Sequence, residues 1–328
     1  LEDRNRVDWG KNLVGQIAEE PWISNKDLDE IGALKYLEGM WAFVLYDRNK
    51  DKLILCKDRF GEKPLYYLNE NRGLYFGSEV KAVRNLSSKK LSINYNYLKR
   101  YLVYGYKFLN KTNETFFNHL YRLESGTNMI LEKNNHKTYK YWRPKIEINK
   151  NLSYNDALDH ARKHFLNSIE LRLRSDVPLA FCLSGGIDSA SIVSIAKKYF
   201  NYDVVTFSII DKDERYNELE NISETIKDLN CEHFLIQLNY KDIISKLQSL
   251  ISYHDAPIST ISYLIHSLLS EQIKAQGFKV SISGTSADEI FTGYYDHFNL
   301  HLYEMRNHNS FKNTEKESTQ DLIKIDKK

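Results

Sequence analysis

The segment PLAFCLSGGIDSASIVSIAKKYF, Pro178 to Phe200, joins two apolar stretches through the turn SGGIDS, Ser184 to Ser189. PLAFCL reads as a buried β-strand and ASIVSIAKKYF as an α-helix. Gly185 and Gly186 let the backbone turn tightly between them, with no Cβ in the way. A helix that starts after such a turn aims its free N–H groups and the positive end of its dipole into the loop, which suits an anion. Ser184 and Ser189 add hydroxyl donors. Asp188 would repel phosphates unless a cation lay between them, so the loop also asks for Mg²⁺. The spacing is neither that of a GxxxxGK[ST] phosphate loop nor that of GxGxxG.

Downstream the alternation continues. DVVTFSII (Asp203 to Ile210), EHFLIQL (Glu232 to Leu238) and FKVSIS (Phe278 to Ser283) read as strands, with a helix over Glu214 to Asn230 and helical stretches around Asp242–Tyr253 and Ser262–Gln276. This order predicts a parallel sheet with helices on both faces. Ligands of such sheets bind at the carboxyl ends of the strands. SGGIDS stands at one such end, and SGTSADEIFTGYYDH, Ser283 to His297, at another.

Upstream, Ser153 reads as an N-cap with Asp156 as its partner. Leu158, Ala161, Phe165, Ile169 and Leu173 recur at helical spacing, predicting a helix that ends near Asp176. RPKIEINKN, Arg143 to Asn151, breaks the periodicity and marks a domain boundary. Before it, MWAFVLYD, KLILCK, PLYYL and GLYF alternate with the turn signals RNKD, DRFGEK and NENR, as in an antiparallel sheet. A further hairpin is expected over Thr127 to Trp142, with Asn134 and Asn135 at its turn, and a helix around Asn94 to Tyr104. Residues 1 to 30 carry a weak helical pattern, and Lys312 to Lys328 read as a frayed end.

The 328 residues suit two domains, and 42% hydrophobic with 27% charged residues is an ordinary globular composition. A formal net charge of +2 implies neither a nucleic-acid surface nor a polybasic membrane patch. No apolar run approaches the roughly 18 residues needed to span a bilayer, and the chain reads as cytoplasmic. Cys56, Cys182 and Cys231 form no CxxC pair, against a zinc knuckle or a dithiol redox site. Cys56 and Cys182 lie in apolar runs, where a buried inert thiol is expected. His160 and His164 share a helix face without the glutamate of HExxH and read as solvated.

SGGIDS resembles the pyrophosphate-binding loop of the ATP pyrophosphatases, which split ATP between its α and β phosphates. SGTSADEIFTGYYDH is similar to the SGEGSDE-x-F-x-GY segment of glutamine-dependent asparagine synthetases. YLEGMWAFVLYD (Tyr36 to Asp47), DRFGEKPLYY (Asp58 to Tyr67) and SEVKAV (Ser78 to Val83) resemble the later part of that family's glutaminase domain. HDAPIST, His254 to Thr260, resembles that family's segment near the acceptor carboxylate, and His254 equally suits a satisfied loop histidine. The resemblance runs from Tyr36 to Tyr295 in the family's order. It implies an α/β fold: an adenine nucleotide α-hydrolase-like parallel sheet in a synthetase domain, residues 153–328, C-terminally incomplete. A partial Ntn-type α+β glutaminase domain, residues 1–145, precedes it.

The resemblance also implies an ATP site made by Leu183, Ser184, Gly185, Gly186, Asp188 and Ser189, with Ile209 near the adenine and Ser283 and Gly284 completing it. Asp188 and Asp288 match the acids that carry Mg²⁺; no catalytic base is singled out. The implied reaction is adenylation of a carboxylate followed by amination, making asparagine from aspartate with ammonia or glutamine as nitrogen donor. Neither nucleic acid nor membrane is an implied partner, and assembly into a homo-oligomer stays open. Three departures stand beside this. Thr285 occupies the family's glutamate position in SGEGSDE, and a threonine cannot serve as a carboxylate base. Residue 1 is leucine where the family has its nucleophilic cysteine, and the glutamine-binding segments are missing before Tyr36, so glutamine hydrolysis is not expected of this chain alone. The chain also stops before the helices that shape the family's acceptor site. Two alternatives follow: the same chemistry on another carboxylate such as a sugar acid, and a non-catalytic ATP-binding fragment.

Overall fold

Strands and turns of the first half follow from alternating β-branched or aromatic residues broken by Asp, Asn and Gly. The computed structural model describes residues 34, 36–70, 73–87, 90–132, 135–149, 151–211, 218–239 and 241–306. The weak helix read over residues 1 to 30, the end read at Lys312 to Lys328 and the first residues of the helix read from Glu214 lie outside the described residues. Two units are distinguished: Leu1–Ile148 with Gln248–Thr260, and Asn149–Leu247 with Ile261–Lys328.

In the first unit, β1 (Ala42–Asp47) and β2 (Lys52–Lys57) form a hairpin. Its turn is held by Asp47, whose Oδ1 accepts from Asn49 N at 2.9 Å. Then follow β3 (Tyr66–Glu70), β4 (Gly73–Gly77), α1 (Val80–Leu86), α2 (Tyr95–Tyr104), β5 (Leu120–Arg122), β6 (Thr127–Glu132) and β7 (Asn135–Lys140). One antiparallel sheet has the order β1-β2-β6-β7 and the other β4-β3-β5. Leu55 and Met129 of the first sheet and Tyr67, Leu74 and Phe76 of the second share one core, so the sheets pack face to face. Val80 and Val83 of α1 cover the other side of the second sheet at Leu68 and Leu120. Asn135 pairs with Glu132 inside the β6–β7 hairpin and is a strand residue; Asn134 lies outside the described residues. The sequence expectation had Asn135 in the turn; the ladder register moves it into β7.

Residues 248–260, which sequence alternation places with the second half, group with the first unit. Lys81 N donates to Asp255 Oδ2 at 3.1 Å, Lys81 Nζ to Tyr253 O at 2.8 Å, and the Tyr101 hydroxyl to Ile258 O at 2.7 Å.

The second unit starts with α3 (Tyr154–Leu173), capped as its sequence suggests: Asp156 N donates to Ser153 Oγ at 3.2 Å. The helix stops at Leu173 and not near Asp176, because Arg174 is extended and Ser175 Oγ accepts from Val177 N at 3.2 Å. That ST-turn feeds the chain into Pro178, before which helical backbone is disfavoured. Of the five apolar positions on α3, Ile169 is buried, Phe165 and Leu173 are half-buried, and Leu158 and Ala161 are exposed.

Next come β8 (Leu179–Cys182), α4 (Ile187–Ser194, widening into a π-turn over Ile195–Tyr199), β9 (Val205–Ile210) and α5 (Leu219–Leu229). They are followed by β10 (Glu232–Gln237), α6 (Ile243–His254, which runs on into the segment grouped with the first unit), α7 (Ser262–Ala275) and β11 (Val280–Ile282). The short α8 (Ala287–Phe291) and α9 (Tyr295–Met305) complete the described chain. All strand pairs are parallel, in the order β10-β9-β8-β11. Leu179, Phe181 and Leu183 face a core with Val193 and Ala196, beside Ile222 and Leu229 of α5. Ala180 and Phe207 face the opposite core with Leu269 and Ile273 of α7. Helices therefore cover both faces of the sheet, and strands buried on both sides need continuous apolar runs such as LAFC.

Candidate nucleotide site at the strand ends

The order β10-β9-β8-β11 proceeds outward from β8 first to one side, through β9 and β10, and then to the other, to β11. Between β8 and β11 the connections diverge, and the carboxyl ends of strands at such a point are where ligands of these sheets bind. SGGIDS leaves β8 there and SGTS leaves β11.

The first loop is shaped by Ser189. Its hydroxyl accepts from Ser184 N at 3.0 Å, donates to Gly186 O at 3.2 Å and lies 3.0 Å from Ser184 Oγ. Ser189 is 4% exposed, so its hydroxyl staples the turn, while Ser184 stays open to solvent. Gly185 has φ +78°, and a Cβ there would lie 2.8 Å from Glu218 Cβ and 3.0 Å from Glu218 O. Only glycine meets both demands. Gly186 caps α4, which begins at Ile187 inside the motif, three residues earlier than the sequence expectation. Leu183 N donates to Phe207 O at 2.9 Å, and Ser208 Oγ donates to Leu183 O, fixing the base of the loop to β9. Ile209, near the end of β9, is half-buried.

The second loop meets the first at one point. A Cβ on Gly284 would lie 2.8 Å from Ser189 N, 3.0 Å from Asp188 Cβ and 3.2 Å from Asp188 C. Gly284 thus rests directly on the first turn of α4. Ser283, exposed, donates its hydroxyl to Thr285 Oγ1 at 2.9 Å. Ser286 takes the left-handed conformation, φ +78°, to start α8. Asp288, in the first turn of α8, packs its carboxylate against Gly293, whose N–H donates to Asp288 O at 3.3 Å.

Two glycine contacts were not legible from the motifs themselves: Glu218 against Gly185, and Asp288 against Gly293. Desolvation pushes the Glu218 carboxyl above the ordinary glutamate range. The only sequence sign of the second contact is the glycine of FTGYY.

Asp188 and Asp288 are half-buried, and no described residue donates a hydrogen bond or ion pair to either carboxylate. These two carboxylates, on loops that touch at Gly284, are the groups here that could hold a hard cation together with phosphate oxygens and water. Among the described residues no group of three or more His, Cys, Asp or Glu could hold a metal by itself. Cys56 is fully buried, and burial pushes its thiol up to about 12, so it is no nucleophile. Burial also raises Cys182. His160 and His164 are exposed on α3. No helix among the described residues is long and apolar enough to cross a membrane.

An asparagine synthase family model matches residues 160–324, half of the chain, and a glutamine amidotransferase domain model matches residues 29–142. The chain is 29% identical over 263 residues to asparagine synthetase [glutamine-hydrolyzing] 1 of Bacillus subtilis, covering 80% of this chain and 40% of that protein. It is 27% identical over 275 residues to asparagine synthetase [glutamine-hydrolyzing] 3 of the same organism, covering 79% and 44%. Amidase chyE of Penicillium rubens is 27% identical over 312 residues, covering 84% of this chain and 42% of that protein. The chain thus spans less than half the length of these relatives. An amidotransferase-type region precedes a parallel α/β unit whose two motif loops meet at Gly284, and the chain belongs to the asparagine synthase family.

Proposed function

We propose that the chain carries the synthetase site of an ATP-dependent amidotransferase that forms an amide from a carboxylate through an acyl-adenylate, with aspartate as acceptor and asparagine as product. The observation that carries this reading is the contact of Gly284 with the backbone of Asp188 and Ser189, which makes the two motif loops one site at the switch point of the sheet. In this reading the amide groups at the start of α4 and the open Ser184 hydroxyl receive the β and γ phosphates. Leu183, Gly185 and Gly186 let the backbone approach them, and Ser189 acts by holding the turn. Ile209 borders the adenine, and Ser283 with Gly284 closes the far side.

Asp188 and Asp288 would hold Mg²⁺. When bound, the cation supplies neutralisation of charge on the phosphate oxygens. The acceptor carboxylate attacks the α-phosphorus and pyrophosphate departs. Ammonia then attacks the acyl carbon and AMP departs. The chain's own contribution is placement and fixed dipoles, as befits transfer at phosphorus. The amidotransferase-type region would deliver ammonia from glutamine in a longer protein.

Thr285 favours a second reading. Its hydroxyl accepts from Ser283 and offers no carboxylate, so the amination half is not built around an acid at that position. The same adenylation and amination on a sugar acid accommodates this. The amidase-named relative is consistent with a family whose acceptors vary.

The test is pyrophosphate release from MgATP and ammonium, with aspartate or a panel of uronic acids added separately and Ser184→Ala and Asp188→Ala run in parallel. Release that depends on one acceptor and falls at least a hundredfold in both variants is the expected result. ATP binding without release for any acceptor would make this chain a nucleotide-binding fragment and overturn the ligase reading.

A further inference from the structure

The first unit contains a cavity of about 370 Å³ whose walls include Lys57, Lys111, Arg122, Lys140, Glu124 and Asn113. This volume is in the range of small-molecule sites, roughly 300–1,000 Å³. The charge balance is one-sided, with four cationic side chains against one carboxylate. Glu124 is engaged by Lys140 at 3.6 Å. Arg122 is committed to neutral acceptors: Asn110 Oδ1, Thr112 O at 3.0 Å and the Tyr97 hydroxyl at 3.4 Å. None of these neutralises the guanidinium.

Lys57 is the decisive residue. It stands at the end of β2, is only 9% exposed and borders the cavity. No described residue accepts a hydrogen bond from its ammonium or pairs with it. Its strand neighbour Asp58 is taken by backbone N–H groups of the following turn. Burial first, and the Arg122 charge second, hold the Lys57 ammonium below the ordinary lysine range. The stem is buried while the unpaired ammonium borders the cavity, partly stripped of water, and an anion there would restore what it has lost. Gly61 keeps the space open: at φ +72°, a Cβ there would come within 3.2 Å of Lys57 Cε and 3.0 Å of Ser125 Cβ.

We propose that this cavity is a binding site for a small, multiply charged oxyanion, a phosphate or a polycarboxylate, with Lys57 at its floor and Arg122 and Lys111 on its walls. The volume suits a small molecule, and a neutral one would leave the Lys57 charge unmet. None of its lining residues belongs to the strand-end loops, so the proposal stands whether or not those loops bind ATP.

The experiment is calorimetric titration of the full chain with inorganic phosphate and, separately, with citrate. Lys57→Met, Lys140→Glu and Ser184→Ala are compared with the parent chain. Expected is saturable binding of at least one probe, weakened tenfold or more by Lys57→Met and severalfold by Lys140→Glu, while Ser184→Ala reports separately any phosphate held at the strand ends. Preference for phosphate assigns a phosphoryl ligand, and preference for citrate a carboxylate one. Methionine matches the buried stem of lysine; if Lys57→Met fails to fold, the exposed Lys140→Glu decides alone. No saturable binding of either probe, or binding that ignores both cavity variants, overturns the proposal. Loss in Ser184→Ala alone moves the anion to the strand ends and overturns it equally.

Discussion

Asp58 and Asp188 both occupy glycine-bearing turns that leave a buried strand, yet their carboxylates meet opposite surroundings. Asp58 is wholly buried: Oδ1 accepts from Phe60 N at 3.1 Å and Glu62 N at 2.9 Å, and Oδ2 from Lys63 N at 3.0 Å. Its own carbonyl takes Gly61 N and Gly126 N. Asp188 is half-buried and receives no hydrogen bond from a described residue. In the first turn the fold uses up the charge, and DRFGEK is architecture. In the second, glycines 185 and 284 compress the backbone around a charge that the fold leaves over. An acid in a glycine turn therefore signals a ligand site only where the local backbone does not satisfy it.

The largest expected effect sharpens this difference. Asp58→Ala strands several buried N–H donors, each worth roughly 1–3 kcal/mol, and should lower stability by about 4 kcal/mol. Asp188→Ala should change it by no more than about 0.5 kcal/mol. Thermal unfolding of the two variants beside the parent chain checks both. Equal losses would erase the distinction between the turns.

A second effect is expected at the contact between the motif loops. Gly284→Ala puts a methyl group 2.8 Å from Ser189 N, against backbone that cannot yield without opening the turn. Affinity for MgATP should fall on the order of a hundredfold, about 2.7 kcal/mol. Gly186→Ala is the comparison: its φ is −77°, and the added methyl meets only Ser184 Oγ, at 3.5 Å. The fold should tolerate it, with at most a few-fold loss of affinity from crowding the phosphates. Equilibrium nucleotide titration of both variants tests the pair. Similar losses would mean that the phosphates, and not the loop contact, set the requirement for glycine at 284.

The same contrast explains how much could be read in advance. The cap at Ser153 and the strands KLILCK and LAFC are local patterns, each decided by residues within a few positions, and they appear where expected, while the helix after SGGIDS starts three residues early. The helices on both faces of the sheet follow from continuous apolar strands. What the sequence withheld depends on distant partners. The pairing of β11 with β8, which sets the switch point, joins residues about a hundred positions apart. The seat of Gly284 on Asp188 spans a similar distance, and the grouping of residues 248–260 with Lys81 and Tyr101 a longer one. Boundary differences have local causes: the Ser175 turn ended α3 early, and ladder register took Asn135 into a strand. Both lysines of KLILCK are buried, and nothing in the segment tells that Lys52 will pair with Glu132 while Lys57 borders a cavity.

The smallest effect is a pH dependence that belongs to the Asp58 turn. Burial alone would raise its carboxyl, but the N–H groups of Lys63, Glu62, Gly61 and Phe60 outweigh it and hold the carboxyl below the usual carboxylate range. A group whose folded value is depressed contributes stability that is complete above its unfolded value, about 3.9 for aspartate, and is lost as pH falls through the folded value. Asp58→Asn keeps one acceptor oxygen and removes the titration. The stability gap between the parent chain and Asp58→Asn should therefore stay constant from pH 8 to about pH 5 and narrow below about pH 4. Denaturant unfolding of both proteins across that range measures it. A gap that widens on acidification would mean that the folded carboxyl prefers its proton, and that the turn is held by something other than an aspartate anion.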